Sequence, residues 1–169
     1  MPSPRLLAVS GLIALAAAAA PASSQAADTM VKIGNQSTGK VLSVEGHSPS
    51  ERAHVIQESF SGDRSQKWFM RQVATFPGTT KIAFEYRNVR SGKCLDLETS
   101  PGTNGTLLVQ KTCSNALSQQ WIRDFAVNTT FLRIQNRRSS MFATGSSSHV
   151  VQRPLANASN QFWSVFGTL

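Results

Sequence analysis

The sequence is most constrained by a tripeptide, Gln-x-Trp, that occurs three times and contains all three tryptophans of the 169-residue chain. The three copies begin at Gln66, Gln119 and Gln161. A second Gln, preceded by an apolar residue, stands nine residues before each of them, at Gln57, Gln110 and Gln152. A spacing that recurs in this way indicates a fold built from three copies of one structural unit.

Two more positions recur upstream at constant spacing. An Asn stands near the end of an apolar run in each copy, and a short polar residue follows eight residues later. These pairs are Asn35 with Ser43, Asn88 with Asp96, and Asn136 with Thr144. The interval from the short polar residue to the middle Gln is 14 residues in two copies and 8 in the third. The variable interval falls in loop-like sequence, so the three copies share one pattern of strands.

Each copy contains four short runs with strand-like apolar residues, separated by Gly, Ser, Asn and Pro, and no window keeps a helical period. The sequence therefore predicts an all-β fold of twelve short strands, arranged as a closed barrel capped by hairpins. Repeats of about residues 29–72, 80–126 and 129–166 each supply one third of the core. We expect the tryptophans in that core, and the Gln of each tripeptide bound to backbone groups.

The N-terminus has the pattern of a secretory signal peptide. Arg5 precedes an apolar run at 6–20, and small residues fill most of 22–27. The apolar run is short for a transmembrane helix, and no later segment is a better candidate. We expect a signal peptide over 1–26, with cleavage one residue later as the alternative, and hence a secreted protein. The competing interpretation is a retained membrane anchor.

The chain has two cysteines, Cys94 and Cys113, both in the second copy. In an exported chain an even pair of cysteines is typical of a disulfide rather than of a metal site or a nucleophile. Closing a loop of about 20 residues stabilises a fold by about 3 kcal/mol in the chain-entropy model. We therefore expect one disulfide that clamps the second repeat.

The net charge of the chain is +8. Removing Arg5 takes the 17 Lys and Arg residues to 16 against 9 Asp and Glu, a net charge of +7. For an exported protein this charge favours anionic glycans, cell-wall polymers or phospholipid head groups over nucleic acid, or it serves only solubility. The nearest approaches to basic clusters are Arg87, Arg90 and Lys93, and Arg133, Arg137 and Arg138.

The three Gln-x-Trp units, the stretch Ser-Gly-Lys-Cys-Leu-Asp at 91–96 and the second Cys in the third strand-like run resemble the ricin B-chain-type lectin domain, a β-trefoil. The resemblance covers about residues 29–166, essentially the whole of the expected mature domain at 27–169. It implies binding of galactose- or xylose-type sugars in shallow pockets, one per repeat, with no catalysis and no cofactor. It also implies the disulfide within one repeat.

In lectins of this family an Asp after the Cys-Leu step accepts hydrogen bonds from two sugar hydroxyls. An aromatic ring two residues after the middle Gln stacks on the sugar, and an Asn precedes the Gln of Gln-x-Trp. The second copy has Asp96 but carries Thr112 in place of the ring and Ser118 in place of the Asn. Because its loop is one residue short, Lys111 or Thr112 could face the pocket. The implied sugar-binding residues are Asp96, Gln110, Lys111, Thr112, Ser118 and Gln119.

The other two copies are weaker candidates for sugar binding. The first has Ser43, Gln57, Phe60 and Gln66 at the pocket positions, and the third has Thr144, Gln152, Asn160 and Gln161. Neither has an acidic residue at the position of Asp96. That aspartate is itself open to two interpretations, a sugar acceptor or a solvated strand edge, and its register favours the acceptor.

The sequence favours a secreted carbohydrate-binding module over an enzyme. It has no His-Glu-x-x-His and no Cys-x-x-Cys, and His47, His54 and His149 are isolated in sequence, so no metal site is predicted. The alternative is a β-trefoil that has lost sugar binding and acts as a protein- or anionic-surface-binding module, such as a toxin subunit or an inhibitor. The missing ring and the positive charge favour that alternative.

Overall fold

The structure is a computed structural model that describes residues 28–99, 102–124 and 130–167. These residues form twelve β-strands, and their helical segments are single 3-10 turns, so the predicted all-β fold is confirmed. No helix among them has the length and apolar character needed to cross a membrane. The predicted signal peptide at 1–26 lies outside the described residues.

Each repeat contributes four strands and a 3-10 turn that directly precedes the last strand. The first repeat contains β1 (Thr29–Asn35), β2 (Val41–Val44), β3 (Val55–Glu58) and β4 (Trp68–Thr75). The second contains β5 (Lys81–Asn88), β6 (Cys94–Leu97), β7 (Leu108–Lys111) and β8 (Trp121–Asp124). The third contains β9 (Ile134–Asn136), β10 (Phe142–Ser146), β11 (His149–Arg153) and β12 (Trp163–Gly167). These 3-10 turns are Arg64–Gln66, Leu117–Gln119 and Ser159–Gln161, and the first repeat has a further one at Glu45–His47, after β2.

The first and last strands of the repeats pair in a cycle. β1 pairs with β12 and β4, β4 with β5, β5 with β8, and β8 with β9, all antiparallel. Leu132, just before β9, forms an isolated bridge to Trp163 of β12, which returns the cycle to its start. The two middle strands of each repeat form the hairpins β2–β3, β6–β7 and β10–β11. The repeats observed in sequence are therefore equivalent units of the structure.

The recurring Asn closes the turn after the first strand of each repeat and joins that repeat to the one before it. Its Oδ1 accepts a hydrogen bond from the N–H two residues later, at 3.0 Å in all three copies. Its Nδ2 donates to a carbonyl in the 3-10 turn of the repeat that comes before it in the threefold cycle, where the third repeat comes before the first: from Asn35 to Asn160, from Asn88 to Ser65, and from Asn136 to Ser118. An Asn suits this position because its side chain can both accept from a turn and donate to a neighbour.

The three tryptophans lie at the centre of the core, as predicted. Trp68, Trp121 and Trp163 are all fully buried, and each indole N–H donates to a backbone carbonyl of the second strand in its own repeat. The acceptors are the carbonyl oxygens of Leu42, Leu95 and Ala143. Each tryptophan thus buries a large apolar surface without leaving its polar nitrogen unsatisfied.

The predicted disulfide is confirmed between Cys94 and Cys113, whose Cα atoms are 5.1 Å apart. It ties the start of β6 to the segment that follows β7. The same two positions hold Val41 and Phe60 in the first repeat, and Phe142 and Leu155 in the third. The second repeat therefore has a covalent link where the other two have apolar side chains.

Candidate functional site

Asp96 lies in the middle of β6, between two buried leucines, and is itself 4% exposed. Its Oδ1 accepts a hydrogen bond from the N–H of Leu97 at 2.6 Å, and its Oδ2 accepts from Nε2 of Gln119 at 3.0 Å. An ionised carboxylate has about four lone-pair sites, so about two remain for other donors. Asp96 is thus a fixed acceptor with unused capacity.

Gln119 holds the loop that surrounds Asp96. Besides its contact with Asp96, its Nε2 donates to the carbonyl of Thr112 at 2.9 Å, and its Oε1 accepts from the N–H of Ser114 at 2.8 Å. Gln66 and Gln161 make the corresponding two backbone contacts in their own repeats. The prediction that these glutamines satisfy backbone groups is confirmed, and only in the second repeat does the amide also orient a carboxylate at the Asp96 position.

The residues equivalent to Asp96 in the other two repeats, Ser43 and Thr144, have fewer free hydrogen-bond acceptors for a ligand. Oγ1 of Thr144 donates to the carbonyl of Phe142 at 2.9 Å and accepts from Nε2 of Gln161 at 3.0 Å. Ser43 is fully buried, with its hydroxyl 3.4 Å from that of Ser65. A hydroxyl has one donor and two acceptor lone pairs, so these sites hold fewer free acceptors than a carboxylate.

Lys111 and Thr112 follow each other at the end of β7 but point to different partners. The register pairs Lys111 with Cys94, so the lysine shares the face of Asp96, and its Nζ donates to the carbonyls of Leu97 (2.7 Å) and Glu98 (3.1 Å). Thr112 instead binds a residue of the first repeat, which is described next. Of the two, Lys111 lies on the Asp96 side of the hairpin.

Glu51, in the loop between β2 and β3, reaches across to the second repeat. Its carboxylate accepts from the N–H of Thr112 at 2.9 Å and from the Thr112 hydroxyl at 3.0 Å, and Nζ of Lys93 lies 3.2 Å away. The backbone hydrogen bond from Thr112 is the main cause that lowers the pKa of Glu51. Sequence reasoning missed this contact because the two residues are far apart in the chain and no local pattern marks the pair.

Gln110 lies on the opposite face of the β6–β7 hairpin from Asp96, because the register pairs it with Leu95. Its Nε2 donates to the carbonyls of Ser48 (2.9 Å) and Ser50 (2.8 Å) in the first repeat, and its Oε1 accepts from the hydroxyl of Ser91 at 2.7 Å. The amide of Gln110 is therefore occupied by a contact between repeats, and the structure does not bring it to Asp96.

The other two middle glutamines make the same kind of contact. Gln57 donates to the carbonyl of Ser147 in the third repeat at 3.1 Å, and Gln152 donates to that of Thr103 in the second at 3.0 Å. The hydroxyls of Thr38 and Ser139 donate to their Oε1 atoms. The three glutamines thus form a cycle of contacts that joins each repeat to another.

The remaining predicted residues divide between buried and exposed positions. Ser118 is 5% exposed, and Nδ2 of Asn160 donates to the carbonyl of Gly145 at 3.0 Å. Phe60 is exposed, and Nζ of Lys32 lies 4.5 Å from the centre of its ring. The first repeat therefore presents an aromatic ring at its surface, whereas the second presents the carboxylate at its pocket position.

Comparison with protein families and solved structures matches these features. The family model for ricin-type beta-trefoil lectin domain-like sequences matches residues 22–83 and 75–144. A designed threefold-symmetric protein, ThreeFoil, is 27% identical with a TM-score of 0.71, and the match covers 83% of this chain and 99% of that one. No curated protein matches the sequence.

Two larger proteins contain a similar domain. The exo-β-1,3-galactanase 1,3Gal43A of Clostridium thermocellum is 25% identical with a TM-score of 0.72, covering 83% of this chain and 30% of that one. The Polyporus squamosus lectin, solved with a Neu5Acα2-6Galβ1-4GlcNAc epitope, is 20% identical with a TM-score of 0.68, covering 85% and 50%. Two overlapping matches to one family model span more than half of the sequence, and the repeat geometry agrees with them. The chain belongs to the family of ricin-type β-trefoil lectin-like domains.

Proposed function

We propose that this protein is a secreted carbohydrate-binding module without catalytic activity, and that its principal sugar pocket lies in the second repeat. Membership of a lectin-like family supports the class of function. The signal-peptide pattern of the sequence supports secretion. We further propose that the cyclic strand pairs form a barrel capped by the three hairpins, with repeats close to 29–72, 80–126 and 129–166.

The single observation that carries the proposed site is the carboxylate of Asp96, held at 3.0 Å by Gln119 and with acceptor capacity to spare. A sugar offers several hydroxyl donors, and a fixed carboxylate can accept from two of them. Lys111 lies on the same face of the hairpin, the carbonyl of Thr112 shares Gln119 with Asp96, and Ser118 directly precedes Gln119 in its 3-10 turn. Galactose- and xylose-type sugars are the ligands that the family suggests.

The proposed pocket lacks a flat apolar wall, and this bears on affinity. Sugar sites usually combine a few fixed polar groups with an aromatic face. At the position where a ring would stack, Thr112 is exposed and bound to Glu51. We therefore propose weak binding to single sugars, and a stronger response to polysaccharides that present many copies.

Binding to a glycan array and to insoluble polysaccharides tests this function. Asp96→Asn keeps the shape of the side chain but removes the charge, and should abolish retention. The matched control is Glu98→Gln, which also neutralises one carboxylate, two residues further along and beyond the end of β6. Near-ultraviolet circular dichroism of the three tryptophans verifies that both variants fold. The proposal fails if the wild-type protein is retained on no glycan, or if Asp96→Asn binds as well as Glu98→Gln.

A second candidate function, binding to anionic surfaces, is favoured by one basic cluster. Within the described residues, Arg133, Arg137 and Arg138 have no carboxylate partner. Two of them lie against aromatic rings instead, Arg133 over Phe162 at 4.2 Å and Arg137 over Phe76 at 5.5 Å. Arg133 also donates to Oδ1 of Asn157 and Arg137 to Oε1 of Gln120, and guanidinium groups that have no carboxylate partner can bind phosphate or sulfate groups.

The other basic cluster has different surroundings, because Arg87, Arg90 and Lys93 each have an acidic partner, respectively Asp28, Asp63 and Glu51. The candidate function is tested by retention on an anionic polymer over a range of salt concentrations. Salt-sensitive retention that is lost in Arg137→Gln/Arg138→Gln and kept in Asp96→Asn would favour it over the sugar pocket. Retention unaffected by the arginine substitutions would exclude this cluster as the binding surface.

A further inference from the structure

Glu45 and His54 meet where the β2–β3 hairpin opens. The last ladder pair of the hairpin is Val44 with Val55, and the next residues on the two strands remain joined because the N–H of Glu45 donates to the carbonyl of His54 at 3.0 Å. Beyond this bond the two side chains also meet, with Nδ1 of His54 3.3 Å from Oε2 of Glu45. The hairpin thus fixes a histidine and a carboxylate side by side.

A second histidine, from the third repeat, lies next to this pair. His149, the first residue of β11, pairs with Ile56 of β3, which makes it a diagonal neighbour of His54 two residues away. The two imidazole rings lie edge to face, with their centres 5.6 Å apart. The hydroxyl of Ser148 is 3.3 Å from Nδ1 of His149 and helps to fix the orientation of that ring.

These two histidines occupy equivalent positions in their repeats, three residues before the middle Gln; the second repeat has Leu107 there. The three positions are connected in a cycle by strand bridges, His54 to Val109, Leu107 to Val151, and His149 to Ile56. The internal symmetry of the fold therefore brings together two histidines that are far apart in the sequence. The third histidine of the chain, His47, is in the same 3-10 turn as Glu45, at Glu45–His47, but its ring contacts Asp63 and Ser65 instead.

We propose that Glu45, His54 and His149 bind a divalent transition-metal ion of the zinc class. One ligand atom from each residue, an imidazole nitrogen or a carboxylate oxygen, lies within 4.8 Å of the other two. Ligands about 2.0–2.1 Å from a tetrahedral Zn²⁺ ion stand roughly 3.3 Å apart, so the His54–Glu45 pair already has the spacing of two ligands and His149 closes in by a small ring movement.

The donor set indicates both the metal and its coordination. Two imidazoles and one carboxylate are borderline ligands that suit Zn²⁺, Ni²⁺ or Cu²⁺, whereas Ca²⁺ and Mg²⁺ prefer all-oxygen sites. With three protein ligands the fourth position is left for water or for a donor from a binding partner. The site is open to solvent, since the side chains of His54 and Glu45 are 35% and 51% exposed.

The ion would link parts of the chain that are far apart in sequence. Glu45 and His54 belong to the first repeat and His149 to the third, so one metal ion would join two hairpins. Binding to the folded state alone raises the apparent stability in proportion to the logarithm of the free metal concentration. The predicted consequence is a thermal midpoint that rises with Zn²⁺ and falls again when a chelator is added.

Isothermal titration of Zn²⁺ into the purified, metal-free protein tests the proposal, with thermal unfolding as a second measurement. The wild-type protein should bind one Zn²⁺ ion, while Mg²⁺ and Ca²⁺ give no heat. His54→Gln and His149→Gln should each weaken binding by more than about tenfold, since loss of a ligand exceeds the usual effect of removing an outer-shell partner. His47→Gln is the matched control and should bind like the wild type.

Substitution of Co²⁺ for Zn²⁺ keeps the test informative if a histidine variant folds poorly. A tetrahedral site with nitrogen ligands should give Co²⁺ a visible absorption band that the wild-type protein and His47→Gln share. The proposal is overturned if the wild type shows neither Zn²⁺ binding nor this band. It is equally overturned if correctly folded His54→Gln or His149→Gln retains wild-type affinity, because the ion would then be bound elsewhere.

Discussion

Gln119 donates one hydrogen bond to the carboxylate of Asp96 at 3.0 Å and a second to the carbonyl of Thr112 at 2.9 Å. A single buried amide therefore connects the strand that carries the acceptor to the loop that borders it. The residue belongs to the Gln-x-Trp tripeptide, whose Trp121 is fully buried in the core. Core, loop and proposed pocket are joined through the first and third positions of one motif.

Replacing Gln119 with Ala should destabilise the fold and weaken sugar binding together. The substitution leaves the N–H of Ser114, the carbonyl of Thr112 and one Asp96 oxygen without their partner, at about 1–3 kcal/mol for each group that stays buried. We expect the free energy of unfolding in urea to fall by at least about 2 kcal/mol. The neighbouring Gln120→Ala, which removes a half-exposed amide, is the control and should have a smaller effect; equal losses would contradict this role for Gln119.

Replacing Gln110 with Ala should destabilise the fold without changing sugar affinity. Its amide bonds to Ser48 and Ser50 of the first repeat and to Ser91 of the second, all away from Asp96, so the variant loses two contacts between repeats and one within its own. We expect a loss of about 2–4 kcal/mol in urea unfolding, from several buried hydrogen bonds at once. Gln36→Ala, at an exposed position, should be neutral. A drop in the glycan affinity of the folded Gln110 variant would show that Gln110 contributes to sugar binding.

The behaviour of the glutamines shows how much of the fold and of the site could be predicted. The repeated spacing and the strand-like runs predicted the twelve strands and the buried tryptophans, because a repeat displays its pattern three times, whereas the disulfide was predicted from an even pair of cysteines in an exported chain and from the family resemblance. The spacing could not separate Gln110 from Gln119, because both recur with equal regularity and their roles depend on which face of a hairpin each one occupies.

Contacts between repeats could not be predicted for a related reason. Glu51 with Thr112, and His54 with His149, are brought together by the cyclic arrangement of the hairpins, which leaves no mark in the local sequence. Family resemblance supplied the expected pocket positions, and the side chains present at those positions decide what each pocket can bind. In the second repeat the acceptor position of the family is filled by Asp96, and the position of the aromatic ring is filled by Thr112.

The contact between Glu51 and Thr112 should make part of the stability depend on pH. The pKa of Glu51 is lowered below its ordinary value of 4.5, chiefly by the backbone hydrogen bond from Thr112. A carboxyl with a lower pKa in the folded state stabilises the fold above its unfolded pKa, and this contribution disappears as the pH falls through the folded value. Wild type should therefore be more stable than Glu51→Gln near neutral pH.

The difference between the two proteins should shrink as the pH falls below about 4.5, the ordinary value for Glu51. Because Glu51 is exposed, we expect the difference in free energy of unfolding between wild type and Glu51→Gln to stay under about 1 kcal/mol even at neutral pH. Urea unfolding of both proteins at a series of pH values measures this difference in stability. A difference that stays constant from neutral to acid pH would show that the carboxylate charge contributes nothing through this contact.

Adding the missing ring should strengthen sugar binding in the second repeat. Thr112 stands two residues after the middle Gln, where lectins of this family carry the aromatic residue, and its position is exposed. Thr112→Trp keeps the backbone N–H that binds Glu51 and places a flat apolar face at a residue whose carbonyl is joined to Asp96 through Gln119. Aromatic packing contributes about 0.5–1.5 kcal/mol beyond area burial, so we expect glycan affinity to rise about 2- to 10-fold.

Thr112→Val is the control for that gain, because it removes the hydroxyl bond to Glu51 without adding a ring. Titration of galactose and xylose into both variants should show a gain for Trp and no gain for Val. Combining Thr112→Trp with Asp96→Asn should remove the gain, since stacking alone cannot orient a sugar whose hydroxyls have lost their acceptor. If the double variant binds as tightly as Thr112→Trp, the added ring acts independently of Asp96, and Asp96 is not the acceptor of the sugar hydroxyls.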